Sequence, residues 1–150
     1  MKNSQFKKDK LIEKFDRRLS LESLENDYWK DDPHSQITGL IEKCHKYRKI
    51  PIQDLSIEQV RMLIGQQIGL DYLLPIAFEF LEEDILSHGD FYEGDLLASI
   101  FRTNQNYWAS RPLFHKKILE FLENGKEKLD AEYVDKDLKK KIEIFKIHKH

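Results

Sequence analysis

The run from Leu70 to Leu86 limits the fold more than any other part of this chain. Its apolar side chains fall on too many sides of a helical wheel for a helix that rests one face on a core and turns the other to water. Such a helix has to be enclosed. No segment supplies convincing strand alternation to enclose it with; Lys49 to Gln53 is the best candidate and is only a few residues long. Wherever else a period can be read, it is helical. The expected architecture is all-α, one compact domain of about six to eight helices around a central buried helix at roughly 70–86. A chain of 150 residues has the size of one ordinary domain.

Leu11, Ile12, Phe15 and Leu19 are spaced as one helical stripe, and Ile37, Leu40, Ile41, Cys44 and Tyr47 as a second, broken by Lys49-Ile50-Pro51. Ser56 with Gln59 has the form of a capping box that opens a helix with Val60, Leu63 and Ile64 inward, ended by Gly65 to Gly69. Pro75 is expected in the first turn of the central helix, where its missing N–H costs little. Ser87 to Gly94 reads as a loop, with Asp95 as N-cap of a helix through Phe101. Asn104 is placed to cap a short turn with Tyr107 and Trp108, and Pro112 to start a helix that stops near Gly125. From about 126 to 148 a lysine-rich terminal helix is expected, with Leu138, Ile142, Phe145 and Ile147 on one side. No linker or repeat divides the chain.

Charge is distributed unevenly around the central run. From Met62 to Phe101 there is no Lys or Arg in forty residues, although the chain has 25; a random scatter would leave a given window so bare in only about two of ten thousand trials. The stretch carries Asp71, Glu79, Glu82, Glu83, Asp84, Asp90, Glu93 and Asp95. An ordinary surface helix sets a Lys at i+4 from its acids, and none is present here. A basic partner for the acidic middle is the inference. Both ends are basic instead, residues 1–18 having seven Lys/Arg against three acids.

Other chemistry is weaker. Cys44 and His45 are adjacent, about 100° apart on a helix, and do not share a ligand easily; a buried thiol on the helical stripe is the simpler reading. As a lone cysteine, Cys44 forms no internal disulfide. His34, His88 and His115 have no partner at helical ligand spacing, and His148 and His150 read as solvated, so no metal and no cofactor is expected. Asp90, Glu93 and Asp95 could supply a carboxylate pair for hydrolysis, but capping alone accounts for Asp95. Gly65 to Gly69 follows a helix rather than a strand and lacks the Gly-Lys-Ser/Thr ending of a phosphate loop. The acidic centre repels phosphate, which excludes direct nucleic-acid binding there, and Lys139 to Lys141 are balanced by neighbouring acids. Phe6, Leu11, Ile12 and Phe15 are spaced through charge, so no secretory leader or membrane span is expected, and the cytoplasm is the expected location.

Five motifs occur in a fixed order: Leu24 to Trp29, Cys44 to Ile52, Glu58 to Leu63 leading into Ile64-Gly65-Gln66-Gln67-Ile68-Gly69-Leu70, Tyr72 to Ala77, and Gly89-Asp90-Phe91-Tyr92-Glu93-Gly94-Asp95-Leu96-Leu97. In this order and spacing the chain resembles the immunity proteins of bacterial contact-dependent growth inhibition systems, the CdiI-type antitoxins, over roughly residues 20 to 123. Glu93 departs from the pattern, standing where a proline looks more usual. The resemblance implies a cytoplasmic protein without catalytic activity that binds and neutralises a toxin domain, the C-terminal region of a CdiA-type effector. Many such toxins are nucleases with basic clefts. Combined with the acidic stretch, it points to Glu82, Glu83, Asp84, Asp90, Phe91, Tyr92, Glu93 and Asp95 as toxin-binding residues. It points to Trp29, Pro51, Gly65, Gln66, Gly69, Pro75 and Gly94 as structural motif residues. The alternative from the residues alone is an acidic interaction or regulatory module unrelated to toxins; a small hydrolase using the Asp90 to Asp95 loop is the third reading.

Overall fold

The computed structural model describes residues 14–30 and 39–148. Leu11, Ile12, Ile37, His34, His150 and most of the basic N-terminal arm lie outside the described residues. Nine α-helices occur among those described: α1 (Leu21–Glu25), α2 (Gly39–Tyr47), α3 (Ile57–Gly65), α4 (Leu70–Glu83), α5 (Asp95–Ile100), α6 (Gln105–Ser110), α7 (Pro112–Asn124), α8 (Lys126–Leu129) and α9 (Lys136–Ile147). No strand is present among the described residues. The 49–53 segment instead makes a single bridge between Ser20 and Pro51 and enters a 3-10 turn, Ile52–Asp54. The fold is all-α, as expected.

Helix α4 is the centre. Leu73, Leu74 and Ala77 are fully buried and Phe78 and Leu81 nearly so, with α3, α5 and α7 packed around them. Phe78 meets Phe114 and Phe121 of α7 edge-on or tilted, with ring centroids 5.6 and 5.7 Å apart. The helix stops at Glu83, and Ile85 and Leu86 stay in the core from the turn that follows. Ser87 Oγ lies 2.8 and 2.7 Å from the carbonyl oxygens of Phe80 and Asp84 and shares its single proton between them at the helix end.

The Ser56 capping box is present in both directions, with Gln59 N–H on Ser56 Oγ at 3.1 Å and Ser56 N–H on Gln59 Oε1 at 2.9 Å. Asn104 caps α6, and Pro112 starts α7.

Four expectations change. Residues 14–19 are bends and turns; the described part of the first stripe is not helical, and the helix begins only after Ser20, whose Oγ accepts from Ser23 N–H. Pro75 lies in the second turn of α4, because the helix starts at Leu70 after the Gly69 cap and five helical residues precede the proline. The 126–148 segment is two helices, since Asp135 caps a new start at Leu138 N–H and Val134 is buried in the connection; Ile147 remains 74% exposed. Asp95 is the first residue of α5 and not its cap; Gly94 holds that place at φ 92°. A Cβ at Gly94 would also stand 2.6 Å from Leu138, so a side chain is refused on two grounds.

Candidate functional site

Folding returns basic side chains to half of the acidic stretch. Arg111 grips Asp71 with Nε and Nη2, each at 2.9 Å, and Tyr107 O–H donates to the same carboxylate at 2.6 Å. Arg17 pairs with Glu79. Lys128 Nζ lies 2.6 Å from Asp84. Asp95 is 3% exposed and has Arg61 3.8 Å away. The expectation that the stretch lacks compensating cations is thus corrected: the partners come from residues 17, 61, 111 and 128, outside it. Glu82, Glu83, Asp90 and Glu93 are exposed and have no ion pair within 4 Å among the described residues.

Burial pushes the Asp84 carboxyl up, but the Lys128 ammonium and the Leu86 N–H outweigh it and hold the group below its ordinary range. Lys128 is pushed up in turn, first by its hydrogen bond to Asp84 and also by the field of Tyr133 and Glu93. Glu82 to Asp84 stand beside Lys128. They line an open cleft of about 590 Å³ at the end of α4. Glu120 and Glu127 from α7 and α8 join them, with Lys117 and Lys128 as the cations and Leu81, Ile85 and Phe121 as the apolar lining.

The loop before α5 is built by buried groups. Asp95 Oδ1 accepts from Gly89 N–H at 2.7 Å, and its Oδ2 from Phe91 and Tyr92 N–H at 3.0 and 3.4 Å. Those bonds commit both oxygens to the loop, so Asp95 is not placed to act on a substrate. Glu58 Oε1 of α3 accepts from Asp90 N–H at 3.0 Å. Arg61 holds Glu58 through Nε and Nη2 at 2.6 and 2.5 Å. That pairing keeps the Glu58 carboxyl below its ordinary range against the pull of burial, with Asp90 N–H adding to it. The Arg61 guanidinium also lies over the Phe91 ring, 4.6 Å from its centroid. Phe91 projects with 71% of its surface exposed and Tyr92 with 39%. Burial, then the charges of Asp135, Asp95 and Asp137, push the Tyr92 phenol up; Leu138 packs against Gly94, which brings the start of α9 beside the loop.

Of the motif residues, Trp29 lies over the Arg48 guanidinium at 4.3 Å, and Arg48 donates to Glu25 and to the Asp27 carbonyl. Pro51 forms the bridge to Ser20. Gly65 ends α3 against Ser99 of α5, Gln66 closes it, and Gly69 opens α4 at φ 64° with Leu21 packed on it. These positions, with Pro75 and Gly94, shape the scaffold. Cys44 is 1% exposed and burial pushes its thiol up, which fits a core residue. No group of three or more His, Cys, Asp or Glu among the described residues is placed to hold a metal. No helix among them is long and apolar enough to cross a membrane.

Glu58, Arg61, Glu120, Glu127, Lys128, Asp135 and Asp137 were not legible as members of this edge. Only the Glu58/Arg61 spacing of three residues, just before the basic-free stretch, offered a signal.

In comparison with known proteins, the model of a family described as CDI immunity proteins matches residues 23–118. No curated protein and no solved structure matches the chain.

Proposed function

The chain belongs to the CDI immunity protein family, and from that premise we propose that it binds and neutralises the toxin domain of a cognate contact-dependent growth inhibition effector through its acidic edge. Glu82, Glu83, Asp90 and Glu93 supply the free charge, Phe91 and Tyr92 the aromatic contacts, and Asp84 and Asp95 the shape of the surface. One observation carries the placement. Among the described residues these four exposed carboxylates are the members of the stretch with no ion pair within 4 Å, and two of them, Asp90 and Glu93, flank Phe91, which is 71% exposed.

A surface of one sign steers association with a partner of the other and raises the on-rate in a salt-dependent way. A basic nuclease cleft fits it, because carboxylates there stand in for the phosphate backbone. Exposed aromatics at the middle of such a patch contribute contact area with little rotamer entropy to lose. Binding alone accounts for the function.

The test begins with the reading frame next to this gene. Expression of the C-terminal domain encoded upstream should arrest growth, and co-expression of this protein should restore it; a harmless domain argues against the proposal. With the purified pair, Glu82→Lys, Glu83→Lys, Asp90→Lys and Glu93→Lys together should raise Kd by about a hundredfold at low salt. Equal affinity of the two proteins at low and at high salt would overturn the acidic placement.

A further inference from the structure

The 88–93 loop has no regular structure, yet four of its six backbone N–H groups, those of residues 89–92, are taken up by carboxylates on two helices. Asp95 of α5 takes Gly89, Phe91 and Tyr92, and Glu58 of α3 takes Asp90. Neither acceptor can move away at low cost. Asp95 is buried, and Glu58 is held in a two-point grip by Arg61. Arg61, itself 14% exposed, also lies 3.8 Å from Asp95 and 4.6 Å from the Phe91 ring centroid. One guanidinium therefore touches both acceptors that fold the loop and the side chain that the loop presents.

We infer that Arg61 is the positioning residue of the toxin-binding loop, holding the loop and the Phe91 ring in the shape that the partner meets. The inference rests on the proposed assignment of this loop to the toxin interface. A loop ordered before binding loses less conformational entropy on association, so affinity follows from its support as well as from its contacts. A flat guanidinium suits the role because it can form the two-point carboxylate pair and stack on a ring at once, which an ammonium cannot. Its place on α3, outside the acidic stretch, makes a framework helix a determinant of affinity.

Arg61→Met keeps the length of the side chain and removes the grip; Arg61→Lys keeps the charge without the planar fork. In the unbound protein, amide exchange of Asp90 and Phe91 should quicken by about tenfold in Arg61→Met, and less in Arg61→Lys. Binding to the domain encoded upstream should weaken by about tenfold in Arg61→Met and by more in Phe91→Ala. In the Phe91→Ala background, Arg61→Met should then add about threefold or less. Unchanged amide exchange in both Arg61 variants overturns the inference without touching the interface. Equal losses from Arg61→Met with and without the Phe91 ring overturn it too, because they assign Arg61 a contact of its own. Unaltered binding of Phe91→Ala, with exchange quickened as expected in Arg61→Met, removes the loop from the interface while leaving Arg61 as its support.

Discussion

Residues 70–81 and 82–95 belong to one acidic run without Lys or Arg, and their carboxylates end in opposite circumstances. In the first half Asp71 is clasped by Arg111 and Tyr107, and Glu79 by Arg17; both acids tie α4 to distant parts of the chain. In the second half, among the described residues, Lys128 pairs with Asp84 and Arg61 stands 3.8 Å from Asp95. Asp95 is satisfied by its own loop, and Glu82, Glu83, Asp90 and Glu93 face water. A cluster of acids in sequence becomes a surface field only after tertiary ion pairs are subtracted from it. What remains marks an edge, and what is subtracted marks architecture.

Breaking the second half should cost most at Asp95. Asp95→Ala removes the acceptor of three amides beside a buried position, and a loss of about 3 kcal/mol in chemical denaturation is expected. A loss under about 1 kcal/mol would show that water takes over the bonds and that the loop is not locked. In the first half, Arg111→Met should cost about 2 kcal/mol, less than a fully buried pair because the Asp71 side chain is 31% exposed. Adding Asp71→Asn should recover part of that loss; strict additivity would show that the two groups are not coupled.

Acid should separate the halves further. The Glu58 carboxyl is held down when folded, by Arg61 first. Its contribution to the loop is therefore complete above the unfolded carboxyl range and is lost as pH falls through the lowered folded value. Protection of the Asp90 amide, its exchange relative to the unstructured rate at the same pH, should hold at neutral and mildly acidic pH and fall only below the ordinary glutamate range. Loss of that protection near neutral pH would contradict the Arg61–Glu58 clamp. The smallest effect is expected at Lys128, whose pair with Asp84 is half exposed. Lys128→Met uncovers a carboxylate in the cleft and should raise the low-salt on-rate for a basic toxin domain by about two- to threefold. A slower on-rate would turn the cleft away from the partner.

Much of the helical framework was readable because its signals are local. The Ser56/Gln59 box, the Asn104 cap and Pro112 at a helix start each act within one turn, and the structure has all three. The region 14–19 misled because Phe15 and Leu19 keep helical spacing, while Asp16 binds Arg18 and the chain turns toward the cap at Ser20. The terminal segment misled because no Gly or Pro marks a break after Gly125, yet Val134 is drawn into the core and Asp135 caps a new helix. Asp95 had the right residue type for a cap. Its carboxylate points back to the loop, a choice that depends on Gly94 at positive φ and on the space left by Leu138.

Composition and periodicity alone determined an all-helical chain, a buried helix near 70–86 and an acidic segment beside it, because hydrophobic period and charge are properties of neighbours in sequence. Motif order pointed to the family. Which carboxylates stay free was decided by tertiary structure, because Arg17, Arg61, Arg111 and Lys128 reach the acidic run only after the helices pack. The same packing set the loop. Its donors and acceptors are brought together by α3 and α5, whose relative placement no local pattern encodes.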